Sequence, residues 1–246
     1  MLKNTLVLAI MLVAPTLNAK DLCSLLPNHT ALQKALVEAK KVSNGGLNLE
    51  MWGTIVDRSG IVCAVAFSGE KYDSQWLGSR VISAQKANTA NAFSLKALAL
   101  STANLYSAVQ PGGSLFGLQE SNPVDTKVAY EGDSAKFGTT KDPMIGKRIG
   151  GVNVFGGGLA LYNSKGEILG ALGVSGDTSC ADHNIAWRLR NKLALDFVPA
   201  GVSADKNDQI IFDISSGKSA GGFGHPDCGG QEMALSKELT KTQTVK

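Results

Sequence analysis

The sequence has little net charge, few aromatic residues and few histidines. Lysine and arginine together number 24, against 21 acidic residues and three histidines. Without a basic excess there is no stripe to track a phosphate backbone, so nucleic acid is not expected as a partner. Aromatic residues make up only 6% of the chain, whereas glycine alone numbers 28. Small residues suit close packing of helices on a sheet, because a missing Cβ lets two backbones approach.

No apolar run is long enough for a bilayer-spanning helix. Leu6 to Val13 is apolar but short, follows Lys3, and is broken by Pro15, Thr16 and Asn18 before Ala19. That order is the order of a secretory signal. A cleaved signal at 1–19 is therefore expected, with Lys20 as the new N-terminus and no transmembrane segment after cleavage. The expected location is periplasmic or secreted.

Several catalytic and cofactor motifs are missing. There is no Cys-x-x-Cys-His, so covalent c-type haem attachment is not supported. Gly156, Gly157 and Gly158 do not form a phosphate loop, since no Lys-Ser/Thr follows and they lead into a strand. Gly173 to Gly176 is not a G-x-S-x-G elbow, because Asp177 breaks the spacing. Ser175 has Asp182 and His183 nearby, but adjacent residues on a helix project in different directions, which is poor triad geometry.

All four cysteines, Cys23, Cys63, Cys180 and Cys228, lie beyond the expected signal. An even number in an exported chain is read first as disulfides. Of three pairings, Cys23 with Cys63 and Cys180 with Cys228 are preferred, because each ties a flexible end to the core. Cys180-x-x-His183 and His225-x-x-Cys228 also have the composition of a Cys2His2 zinc site. Zinc at Cys180, His183, His225 and Cys228 stays open as the alternative, with the compartment favouring the disulfide.

The element pattern is alternating. Thr30 to Lys41 has helical periodicity through Leu32, Ala35, Leu36 and Ala39, with Thr30 and Gln33 at capping-box spacing. Glu50 to Asp57 and Ile61 to Phe67 read as a hairpin around Asp57-Arg58-Ser59-Gly60. A long helical region follows from Ser79 to about Ser107, with a break near Phe93–Ser94. Residues 110–151 lose periodicity and read as a functional or partner-binding insertion, or as an ordered wrap over the sheet edge.

Val152 to Tyr162 and Glu167 to Val174 form a second strand pair, and Ser179 to about Phe197 a helix with Asp177, Thr178 and Ser179 as competent caps. Ile210 to Ile214 reads as a last short strand, and 233–246 as a polar tail that frays. GTIVDRSGIVCAVAFSG and GLALYNSKGEILGALGVSG repeat one plan of strand, turn, strand and Ser-Gly. Two hairpins with following helices predict an α+β sandwich, with a mainly antiparallel sheet of about five strands covered by helices. One domain is expected over 20–232.

AQKANTANAF, VNVFGGGLALYNSKGEILGALGVSGD and ADHNIAW together resemble the GlcG/HbpS-like family, often called haem-degrading or haem-binding. The resemblance rests on Ala84, Lys86, Ala87, Thr89 and Ala90, on Phe155 to Gly158, on Gly170 to Gly176, and on Asp182. It covers roughly Thr30 to Phe197. Gly158-Leu159-Ala160 departs from the usual Pro after the glycine pair, and the insertion and cysteine-rich end resemble an exported subgroup.

The resemblance implies a profilin-like fold, a homo-oligomer, and binding of haem or a corrinoid-related small molecule. The ligand-binding residues it implies are Lys86, Thr89, Phe155, Gly156, Gly157, Gly158, Ser175, Gly176 and Asp182. Non-covalent haem needs an apolar slot and an axial ligand, for which His29 and His183 are the candidates. The expected function is exported haem binding for sequestration, sensing or slow degradation. An enzyme acting on a small organic substrate in the same pocket, or a structural oligomer without ligand, is the alternative.

Overall fold

The computed structural model describes residues 22–246. The expected signal segment and the start at Lys20 lie outside the described residues. The chain runs α1 (His29–Lys40), β1 (Trp52–Asp57), β2 (Val62–Phe67), α2 (Ser79–Phe93), α3 (Leu118–Ser121) and α4 (Thr126–Tyr130). It continues with β3 (Gly158–Tyr162), β4 (Ile168–Ser175), α5 (Ser179–Lys192), β5 (Ile214–Ser215), β6 (Lys218–Ser219) and α6 (Glu232–Ser236).

The sheet is the expected pair of hairpins joined edge to edge. Its order is β2-β1-β4-β3, and every neighbouring pair is antiparallel. β1 is buried at all six positions, as a central strand must be when helices cover both faces. Among the described residues the main sheet has four strands. The segment expected as a fifth supplies only β5, which pairs with β6 in a separate two-stranded ribbon.

α1 and α5 share one face. Leu32, Leu36 and Ala39 of α1 join Ile55, Leu172, Ile185 and Leu189 in one apolar cluster. Asn28 caps α1 by accepting the Ala31 N–H, in place of the expected Thr30 capping box. On the other face α2 lies directly on the sheet, with Ala84 and Ala87 packed among Val56, Val65 and Ala171. A Cβ on Gly173 would collide with the Ser83 carbonyl and the Ala87 nitrogen, so a glycine is what admits the helix there.

Helix α2 stops at Phe93 and not near Ser107. Ser94 is extended, and single-turn 3₁₀ segments at Ala103–Leu105 and Ser107–Val109 follow. Residues 110–151 are an ordered wrap. The Val62 N–H donates to the Lys147 carbonyl and the Gly146 N–H to the Val62 carbonyl, while Met144 and Ile149 enter the α2 cluster. Arg80 of α2 clamps the wrap through a buried two-pronged pair with Asp142.

The C-terminal residues pack and do not fray. Leu239 joins the main cluster, Trp187 Nε1 donates to the Thr240 carbonyl, and the Lys246 N–H reaches the Ser164 carbonyl. Disulfides join Cys23 to Cys63 and Cys180 to Cys228, with Cα separations of 5.4 and 6.1 Å. These are the two preferred pairings. No helix of the described residues is long and apolar enough to cross a membrane.

Candidate functional site

The end of β4, the start of α5, the first turns of α2 and the loop before β3 meet around a cleft of ≈ 320 Å³. Trp76, Ser79, Ile82 and Lys86 come from α2 and its approach, Phe155 from the glycine loop, and Ser175, Asp177, Ser179 and Asp182 from the strand-to-helix corner. Of the ligand-binding residues expected from the sequence, Lys86, Phe155, Ser175 and Asp182 are on this wall. Trp76 and Phe155 are about half exposed at its mouth.

Lys86 and Asp182 form the floor. Lys86 Nζ donates to Asp182 Oδ2 at 2.6 Å and to the Val174 carbonyl at 3.1 Å. Asp182 Oδ1 accepts the Asp177 N–H at 2.9 Å. Burial pushes the Asp182 carboxyl up to about 6, against the pull of the Lys86 ammonium. Burial also lowers Lys86, against the pull of Asp182. An ammonium has three protons, and two of those of Lys86 are taken by protein oxygens.

The glycines shape the wall above this pair. Gly157 has φ +115, and a Cβ there would meet the Val174 carbonyl and lie 3.3 Å from Lys86 Nζ. Gly156 donates its N–H to Ser179 Oγ at 2.6 Å, and Gly158 donates to Thr102 Oγ1 at 2.9 Å. Thr102 in turn donates to the Phe155 carbonyl, so one hydroxyl clips both ends of the loop. Thr102 was not singled out from sequence, since its position 56 residues before Gly158 gives no local signal.

Other expected residues have supporting positions. Thr89 donates to the Gln85 carbonyl and accepts the Asn153 N–H, fixing the start of the loop and not the cleft wall. Gly176 lies against the backbone of Glu50 and Met51. Asp177 is a brace, accepting the N–H groups of Leu47, Leu49 and Thr178. Thr178 is the residue that caps α5, accepting the Ala181 N–H.

The histidines divide. His29 Nε2 donates to the Gly138 carbonyl at 2.8 Å on a half-buried ring. His183 is fully buried, its Nε2 accepting the Ile210 N–H, and burial lowers its pKa to about 3. Neither lines the cleft. Ser175, Asp182 and His183 therefore form no triad.

His225 sits behind the wall. Its Nδ1 donates to the Pro226 carbonyl at 2.7 Å, which leaves Nε2 to accept the Ser179 hydroxyl at 2.7 Å. Ligand atoms of Cys180, His225 and Cys228 lie within 4.8 Å of one another, but the two sulfurs are bonded to each other. A thiolate zinc site needs that bond reduced, and His183 is not in the group.

Residues 28–189 match the family model described as haem degrading protein HbpS-like. The chain belongs to this family. It is similar to the crystal structure of a PduOC:haem complex at 25% identity, covering 68% of this chain and 94% of that one, with a TM-score of 0.47. It is also similar to the Klebsiella pneumoniae protein ORFY, at 23% identity, 75% and 97% coverage and a TM-score of 0.44. A double mutant of Streptomyces reticuli HbpS gives 15% identity, 78% and 98% coverage and a TM-score of 0.42. No curated protein matches the chain.

Proposed function

We propose that this protein binds haem in the cleft above the Lys86–Asp182 pair, as an exported homo-oligomer that sequesters, senses or slowly degrades it. The observation that carries this reading is the cleft itself, built where the family motifs converge. Trp76, Ile82 and Phe155 offer apolar surface to a porphyrin face, which suits a site that is mostly apolar with a few fixed polar groups. The remaining Lys86 proton suits a propionate.

The wall offers apolar surface but carries no His, Met, Cys or Tyr among the described residues that line it. Haem iron takes its ligand from such side chains. His29 lies off this wall, with its Nε2 held by the Gly138 carbonyl. His183 has its Nε2 engaged by the Ile210 amide in the interior. Haem supplies redox and oxygen chemistry where it binds; this chain would orient it and exclude water from one face.

Titration of the purified protein with haem should give a Soret band that Phe155→Ala weakens. No spectral change at micromolar haem would overturn the reading, and loss of the band in His29→Ala or in His183→Ala would assign the ligand to that residue. Export is supported by the two disulfides, which form and persist in oxidising compartments. N-terminal sequencing of the periplasmic or secreted fraction should begin at Lys20.

A further inference from the structure

Ser179 and His225 are 46 residues apart in sequence and share a 2.7 Å hydrogen bond at the cleft. We propose that they form a nucleophile–base pair for acyl transfer, acting on small neutral esters that enter the cleft beside Phe155. The pair faces the same cleft proposed above for haem, and its chemistry does not require haem.

The geometry has the three parts such a pair needs: a hydroxyl on a pocket wall, a base bonded to it, and a third group orienting the base. Ser179 lines the cleft. The Pro226 carbonyl takes the Nδ1 proton of His225 and so fixes the tautomer with Nε2 free to accept. The Gly156 N–H donates to Ser179 Oγ, which holds the oxygen in place with its own proton aimed at His225. The Tyr106 ring packs against the imidazole at 5.0 Å, tilted by 55°, and limits its rotation.

The Cys180–Cys228 bridge flanks the pair on both sides in sequence and keeps the 225–228 segment against the start of α5. Burial holds His225 neutral, with a pKa near 4, so Nε2 is unprotonated at neutral pH. A base this weak makes proton transfer slow. The third proton of Lys86, on the same wall, is the donor available to the developing oxyanion. Trp76, Ile82 and Phe155 make the wall beside the pair largely apolar, which is why the substrate class is a small neutral ester.

The chemistry balances with water as the only co-reactant. Ser179 Oγ bonds to the ester carbonyl carbon as its proton passes to His225 Nε2. The carbon–alkoxy bond then breaks, and the alkoxide leaves as an alcohol with that proton. Water attacks the acyl-serine and gives one proton to His225; the acyl carbon–Oγ bond breaks, His225 returns that proton to Ser179 Oγ, and the carboxylic acid is released.

The test uses the haem-free full-length protein and a fluorophosphonate probe, which phosphonylates activated serines. Mass spectrometry should place the adduct on Ser179. Hydrolysis of p-nitrophenyl acetate should fall roughly 10²-fold in His225→Gln and to background in Ser179→Ala. Labelling in the wild-type protein needs no variant to fold, so it decides on its own: no adduct at Ser179 overturns the proposal. Unchanged hydrolysis in a folded Ser179→Ala does so too.

Discussion

Lys86 Nζ lies 2.6 Å from Asp182 Oδ2 although the two residues are 96 positions apart, and both are buried. This bond ties the middle of α2 to the first turn of α5 around the end of β4. Breaking a buried pair by removing one partner leaves a charge without compensation and costs about 3–5 kcal/mol. Lys86→Met should lose stability on that scale in urea denaturation. Lys86→Met with Asp182→Leu should recover most of it, because an apolar pair of similar volume replaces both charges.

The buried histidines set an acid limit. His183 and His225 fall from 6.5 to about 3 and about 4, mainly by burial. Between those values and 6.5 the unfolded chain binds more protons than the folded one, so stability rises with pH and is lost as pH falls. Asp182, raised from 3.8 to about 6, acts in the opposite sense over its own window. Two groups oppose one, so the midpoint of urea unfolding should drop between pH 6.5 and pH 4.5. His225→Gln should flatten that dependence; a steeper one would contradict the assignment.

Each disulfide closes a loop of comparable length, with separations of 40 and 48 residues. Replacing either pair with serine should cost about 2–4 kcal/mol, chiefly by freeing the unfolded chain. Thiol titration of the denatured, unreduced protein should find no free cysteine. The pairs should also respond differently to function: loss of Cys180–Cys228 releases His225, whereas loss of Cys23–Cys63 leaves the cleft intact. Fluorophosphonate labelling of the two variants separates these outcomes.

Gly173→Ala tests the contact between α2 and the sheet. The added Cβ would meet backbone atoms of Ser83 and Ala87, which cannot swing aside as a side-chain tip can. Overpacking of this kind costs about 3 kcal/mol. The expected result is a lowered thermal midpoint, with weakened ligand binding, since Lys86 lies on the same helix. Gly112→Ala is the control for a glycine with open space around it, and its cost reflects only its positive φ of +83.

Much of the architecture was legible in the chain. The apolar runs of β1 to β4 around their turns and the helical spacing of Leu32, Ala35, Leu36 and Ala39 are local patterns, and the structure has both hairpins and both flanking helices. The boundaries were less legible. Residues 94–107 have helix-forming composition but turn away at Ser94, whose hydroxyl bonds the Leu100 backbone. The C-terminal residues read as a polar tail because their anchors, Leu239 and the Thr240 carbonyl, are single groups without a period.

The candidate site divides in the same way. Lys86, Phe155, Ser175 and Asp182 could be named from motifs, because each sits in a short recognisable string. Trp76, Ile82 and Ser179 could not, since exposure at a cleft mouth and a hydroxyl beside a disulfide leave no periodic trace. What the sequence alone determined was the set of elements, the cysteine pairing it favoured and the corner where strand meets helix. Tertiary structure decided that β1 joins β4, that Lys86 finds Asp182, and that the Ser179 hydroxyl is bonded by His225 and not left beside His183. The physical reason is that periodicity reports which face of one element is buried, whereas a site is made by segments tens of residues apart whose meeting only packing and long-range bonds specify.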